Sequence, residues 1–262
     1  MPIYHNCQQR SAEWFILRLG RPTASDFDRI VTPTGKLSKQ APAYMHKLLA
    51  EQMLGRVIEE KPYQSEWMER GERLEESAVK AYEMLRNVEV QHVGFVTVAS
   101  GRYGCSPDGL TSESGLELKV PKPNTMMSYL LDPASLAEGY APQIQGCMMI
   151  CERDHWDPFA YHEEMPPVLY RIDRDEKYIA ILKDSLEAFC DLMAERRAHL
   201  EAAYGKFPEP VAFDPGAKCE HCLATYESRF IGDICGNCMG TIVAKGAPGA
   251  LGVTLEDLER SF

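Results

Sequence analysis

The residues of this chain best suited to chemistry crowd into one stretch, Tyr103 to Val120. Ser106-Pro107-Asp108-Gly109 ends one candidate strand, and Leu116-Glu117-Leu118-Lys119-Val120 forms the next. Side chains alternate along a strand, so Glu117 and Lys119 share one face while Leu116, Leu118 and Val120 point into the core. If the strands pair through the polar connection Thr111 to Gly115, Asp108 meets that polar face. Two carboxylates and an ammonium then converge. Magnesium takes oxygen ligands and keeps several waters, so one or two carboxylates suffice to hold it. A metal so held polarises a phosphodiester oxygen and stabilises charge developing in the transition state. Lys119 beside it orients the attacking water and helps deprotonate it, provided that its surroundings lower its pKa. The bare spacing fits an ordinary edge strand equally well, with an exposed Glu117–Lys119 pair and a turn at Asp108-Gly109, and spacing alone favours that plainer alternative.

Two other groups carry chemistry. Ser25 can cap a helix bearing Phe27, Ile30 and Val31, and free N–H groups at a helix start attract anions. Arg18, a few residues upstream, offers a bidentate clamp for a phosphate; a plain cap and a surface arginine is the competing account. Near the C-terminus, Cys219-x-x-Cys222 and Cys235-x-x-Cys238 are separated by twelve residues. Two such pairs read as a four-thiolate structural zinc site of the ribbon or knuckle type, with an iron–sulfur cluster as the rival. Cys7, Cys105, Cys147, Cys151 and Cys190 are scattered, mostly among apolar residues where a thiol packs as a small hydrophobe.

The elements that must position these groups follow from periodicity. Ser11 can cap a short helix carrying Trp14, Phe15, Ile16 and Leu19, stopped by Gly20. Tyr44, Leu48, Leu49 and Met53 recur at helical spacing up to Gly55, and another helix covers Ser65 to Asn87 with Leu74, Ala78, Tyr82 and Leu85 on one face. The period then changes: Val88, Val90, Val93, Phe95, Val96 and Val98 read as a strand. A helix is expected from Pro142, late strands at Trp156 to Tyr161 and Val168 to Ile172, and a long helix from a capping box of Asp173 with Glu176 to Gly205. Beyond residue 208 periodicity disappears. The expected fold is α/β, a mixed central sheet flanked by helices over residues 1–208, followed by a zinc module at 209–240 and a linker with a short terminal helix at 241–262.

Ser106-Pro107-Asp108-Gly109-Leu110 followed by Gly115-Leu116-Glu117-Leu118-Lys119 resembles the core of the lambda-exonuclease, or phage-type recombinase, family of PD-(D/E)XK nucleases. Leu17-Arg18-Leu19-Gly20 with Thr23-Ala24-Ser25 looks like that family's N-terminal signature. Gly71 to Ala78 is similar to its acidic helix, Tyr140 to Gln145 to its Gln-x-Gln helix, and Arg174 to Tyr178 to a later landmark. These stand in the family's order over roughly residues 10 to 205. The resemblance implies that Asp108, Glu117 and the backbone carbonyl of Leu118 ligate Mg2+, with Mn2+ as a substitute, and that Glu75 completes the site directly or through water. Lys119 would serve the nucleophilic water and Gln143 would position it, while Arg18, Ser25 and Ser106 would hold a 5′-terminal phosphate. It further implies a restriction-endonuclease-like core, a ring of three subunits around duplex DNA, 5′-to-3′ digestion of one strand to 5′-mononucleotides, and a single-strand annealing partner for the 3′ tail. Without the family match, Glu75 belongs to a solvated face with Glu69, Glu72 and Glu76.

Composition constrains the alternatives. No apolar run approaches the ~20 residues needed to span a bilayer, and Met1-Pro2-Ile3-Tyr4-His5 lacks the regions of a signal peptide, so a cytoplasmic protein of a bacterial host or prophage is expected. The net charge of −11 runs against nucleic-acid binding, whose usual footprint is a basic surface. Basic residues confined to a channel inside an acidic exterior reconcile the two. Two rivals stay open: a repair-type or endonucleolytic nuclease of the same superfamily, and a catalytically silent DNA-end-binding zinc protein.

Overall fold

In the computed structural model, the described residues are 1–58 and 66–208, with backbone alone for 66–69, 72, 230–231 and 234–235. The N-terminal part runs β1 (Ile3–His5), α1 (Ala12–Arg18), a short 3₁₀ turn (Ala24–Arg29), α2 (Ala41–Leu54) and α3 (Glu66–Arg86). Short strands β2 (Phe95–Thr97), β3 (Gly104–Cys105) and β4 (Gly109–Leu110) lead to β5 (Ser114–Lys119). There follow α4 (Pro123–Leu131), α5 (Ala141–Cys151), β6 (His155–His162), β7 (Met165–Leu169), β8 (Ile172–Asp173) and α6 (Glu176–Tyr204). A two-stranded ladder pairs β9 (Phe230–Ile231) with β10 (Ile234–Cys235). The side chains of Cys219, Cys222, Cys235 and Cys238, and the expected terminal helix, lie outside the described residues.

The principal sheet has the order β4-β5-β6-β7, and β8 pairs with the start of β6. Only β5 and β6 run parallel; the other pairs are antiparallel, so the sheet is mixed as expected. Period-two alternation sorts its faces. Leu116 and Phe159 pack against Val79 and Tyr82 of α3, while Ala160 and Val168 pack against Met126 of α4. The largest cluster lies between the 3₁₀ turn, α2, α5 and α6, through Phe27, Tyr44, Ile144, Met148, Leu182 and Phe189. Gly115 is required where it stands: a Cβ there would meet the Trp156 ring at 2.0 Å.

Several boundaries differ from expectation for identifiable reasons. The run Val88 to Val98 keeps only Phe95–Thr97 as strand, because the Val90 N–H donates to the Glu83 carboxylate and Gln91 makes one isolated bridge to Leu110. The cap of α6 is Asp175, which accepts from the N–H groups of Lys177 and Tyr178. Asp173 is taken by β8 and its carboxylate by His155. Ser25 caps nothing; it lies inside a 3₁₀ turn preceded by Thr23. Leu85, expected inward, is exposed. Helix α4 was not foreseen.

Candidate active site

Strand β4 covers β5 only as far as Leu116, so the edge of β5 beyond it is open on that side. Asp108 takes over there: its Oδ2 accepts from the backbone N–H of Leu118 at 2.6 Å. In an extended strand the N–H and C=O of one residue point the same way, so the Leu118 carbonyl faces the same open edge. Glu117 is nearly buried, 6% exposed, on the face turned toward α5. Its Oε1 accepts from Lys119 Nζ at 2.7 Å and from Gln143 Nε2 at 2.9 Å. Gln143 reaches it from the first turn of α5, which opens on Ala141-Pro142, where a proline lacks only an N–H that would be orphaned anyway. The Tyr140 ring lies 4.6 Å from Lys119 Nζ and supplies a cation–π contact.

Electrostatics separate the roles of these groups. Burial, then the charge of Glu117, pushes Asp108 up to about 8, with exposed Glu75 adding to the effect. Burial works against the charge on Lys119, but Glu117 outweighs it and holds the amine above its ordinary value. The lowered pKa that a base role for Lys119 would need is therefore absent from this arrangement; Lys119 stands as an ammonium donor. Among the described residues no three His, Cys, Asp or Glu side chains stand close enough to hold a metal. Glu75 bears on Asp108 by charge. Two carboxylates and a carbonyl, all oxygen, nonetheless suit magnesium, which fills its remaining positions with water. A cation would also offset the repulsion from Glu117 that, after burial, raises Asp108.

A second cluster forms beside the first. Arg18, the last residue of α1, donates to Ser106 Oγ at 3.3 Å, to Thr23 Oγ1 at 3.2 Å and to Ser25 Oγ at 3.5 Å. Its guanidinium lies 4.3 Å from the centre of the Trp14 ring, whose Nε1 donates to Ser106 Oγ at 2.8 Å. Burial pulls Arg18 below its ordinary value, and among the described residues its side-chain donors meet hydroxyls, not carboxylates. Ser106 lies two residues before Asp108, so the chain itself ties this hydroxyl-lined cluster to the acidic one. Arg18, Ser25 and Ser106 come together, as do Asp108, Glu117, Lys119 and Gln143. Sequence reasoning missed Trp14 and Tyr140; the only available signal was an aromatic three or four residues from a candidate basic or amide group.

A helix-flanked mixed sheet bearing such a strand-edge cluster defines the class: an exonuclease-like α/β core. The chain belongs to the YqaJ-like viral recombinase family, whose profile matches residues 13–154. The solved structure of the alkaline exonuclease LHK-Exo from Laribacter hongkongensis is similar at 25% identity and TM-score 0.65, covering 74% of this chain and 97% of that one. LHK-Exo in complex with dAMP matches at 26% identity and TM-score 0.64 with the same coverage. A phage-related exonuclease from Haemophilus somnus shares the fold at 16% identity and TM-score 0.53, over 67% of this chain and 96% of that one. A search of curated proteins gives no match. Among the described residues no helix is long and apolar enough to cross a membrane.

Proposed function

We propose that this protein is a magnesium-dependent 5′-to-3′ exonuclease acting on one strand of duplex DNA from its ends. The observation that carries the reading is the junction of two unlike clusters: carboxylates with a lysine at Asp108, Glu117 and Lys119, and an arginine among hydroxyls at Arg18, which donates to Ser106 two residues before Asp108. Membership of a viral recombinase family and likeness to an alkaline exonuclease support it.

Asp108, Glu117 and the Leu118 carbonyl would hold Mg2+, or Mn2+ in its place. The bound ion would polarise the scissile phosphate and lower the pKa of a coordinated water. Lys119, kept as an ammonium by Glu117, faces the scissile phosphate as a positive donor. Gln143 fixes the Glu117 carboxylate through its amide and so holds the acid in one orientation. Arg18, with Thr23, Ser25 and Ser106, grips the terminal 5′-phosphate and sets the next phosphodiester at the acidic pair. Attack by water breaks the bond from phosphorus to the 3′ oxygen of the terminal nucleotide. That nucleotide leaves as a 5′-mononucleotide with a 3′-hydroxyl, and the new strand end carries the 5′-phosphate that the pocket needs for the following step. LHK-Exo, solved with dAMP, shows a relative of this fold holding a mononucleotide. A ring of three subunits, a single-strand annealing partner for the 3′ tail, a structural zinc on Cys219, Cys222, Cys235 and Cys238, and a cytoplasmic setting complete the reading.

Arg18 provides the test. Wild type should digest a duplex with 5′-phosphate ends faster than the same duplex with 5′-hydroxyl ends. Arg18→Ala should erase most of that preference, because charge-assisted contacts to a doubly charged group are lost. Initial rates on both substrates decide it; an unchanged preference in Arg18→Ala removes the pocket from this position.

A further inference from the structure

Glu51 is a buried acid that the chemistry above leaves without a task. It is 3% exposed and lies in the last turn of α2. A negative charge there faces the carbonyl end of the helix dipole, the unfavourable end for an anion. Burial raises its pKa, so its site costs stability on two counts. What offsets this is specific. Glu51 Oε2 accepts from the Gly20 N–H at 3.1 Å and Oε1 accepts from the Ile58 N–H at 3.1 Å. The next residue completes the grip, since Gln52 Nε2 donates to the Gly20 carbonyl at 2.7 Å. Both backbone groups of Gly20 are therefore held by the end of α2.

Gly20 is the hinge between Arg18 and the hydroxyls that Arg18 meets. Its φ of +59° is left-handed, and a Cβ there would fall 2.2 Å from Gln52 Cγ, so only glycine fits against the clamp. The turn reverses the chain after α1, which brings Thr23 and Ser25 under the Arg18 guanidinium. Glu51 is also close enough for its charge to favour the protonated guanidinium while making no hydrogen bond to it. An acid in direct contact would occupy the donors meant for a ligand; one a turn away steadies the arginine and leaves them available.

We propose that Glu51, seconded by Gln52, is a positioning residue for recognition of the 5′-phosphate: it clamps Gly20 so that Arg18, Thr23 and Ser25 form one anion cradle. This rests on the phosphate-pocket reading above, and the test separates the two. Initial digestion rates with magnesium are measured on 5′-phosphate and 5′-hydroxyl duplexes for wild type, Glu51→Gln, Gln52→Ala, Arg18→Ala and the Glu51→Gln/Arg18→Ala double variant. Glu51→Gln keeps the shape but can serve only one of the two N–H groups. Its ratio of phosphate to hydroxyl rates should fall roughly fivefold, the scale of one hydrogen bond, with the rate on hydroxyl ends within about twofold of wild type. Gln52→Ala should lower the ratio in the same direction, and the double variant should show no more loss than Arg18→Ala alone. A ratio that Arg18→Ala erases but both clamp variants leave intact overturns this inference and spares the pocket. So does an equal fall of both rates, which marks a merely structural residue. Equal wild-type rates on the two ends overturn the pocket and the clamp together.

Discussion

Asp108 and Asp157 flank the same strand, β5, from opposite sides, and the protein treats them in opposite ways. Asp157, on β6, is fully buried and accepts four hydrogen bonds: two from Arg171 at 2.8 Å, one from Tyr82 at 2.7 Å and one from Ser114 at 3.1 Å. Burial alone would raise its pKa, but Arg171 and Tyr82 outweigh it and the carboxyl sits below its usual range. Asp108 has the backbone donor of Leu118 and the charge of Lys119, set against burial, Glu117 and Glu75. Its carboxyl is pushed up to about 8. One acid is compensated by the fold and ties α3 to the sheet; the other is left for something the fold does not supply. A perturbed acid of this kind marks a candidate functional site.

The comparison breaks most easily at its catalytic side. Asp108→Ala, Glu117→Ala and Lys119→Ala should each reduce turnover by at least ~100-fold while the protein still folds, the scale lost with an electrostatic or metal-holding group. Near wild-type turnover in any one of them, with a native circular-dichroism spectrum, removes that residue from the site. The structural side predicts the reverse pattern. Arg171→Ala leaves Asp157 buried without its cation and should cost about 3 kcal/mol of stability, the low end for a broken buried pair because Arg171 is partly solvated. Urea unfolding reads this directly, and an unchanged midpoint would show that Tyr82 and Ser114 suffice.

A smaller effect sharpens the contrast by pH. With a folded pKa about 8 against roughly 3.9 unfolded, Asp108 binds more protons folded than unfolded across that window, so its contribution to stability falls as pH rises. Asp108→Asn, without divalent ions, should therefore melt at least about 3 °C above wild type at pH 9, what roughly 1 kcal/mol produces in a chain of this size. The gain should shrink as pH falls toward 4. Asp157 has the opposite sign: its pKa is depressed, and the stability it contributes above the unfolded value is lost as pH falls through the folded one. A difference in melting temperature between Asp108→Asn and wild type that stays the same from pH 4 to pH 9 would contradict the strained-acid account.

What could be seen in the residues themselves was whatever depended on local period. The alternation Leu116-Glu117-Leu118-Lys119 put the acid and the amine on one face, and the structure keeps them there, 2.7 Å apart. The grouping of Arg18 with Ser25 and Ser106 follows from a family pattern, and Ser25 does not cap a helix as its position suggests. Its hydroxyl meets Arg18, not a helix end. Pairings across long separations had no local signal. Trp14 meets Ser106, Tyr82 meets Asp157 and Glu51 meets Gly20, and nothing in a run of neighbours distinguishes these residues from ordinary core or surface positions. The condition set for a base role of Lys119, a lowered pKa, also has no local signal, and Glu117 holds the amine above its ordinary value instead. The direction of that shift is set by the distance to Glu117, and alternation alone does not give distances.

The most direct measurement follows one uniform duplex labelled at its 5′ or its 3′ ends, as linear molecules and as closed circles, with magnesium. The account predicts early release of the 5′ label as mononucleotide, late release of the 3′ label and circles that persist. Cutting of circles at the rate of linear DNA, or release of the 3′ label first, would contradict it.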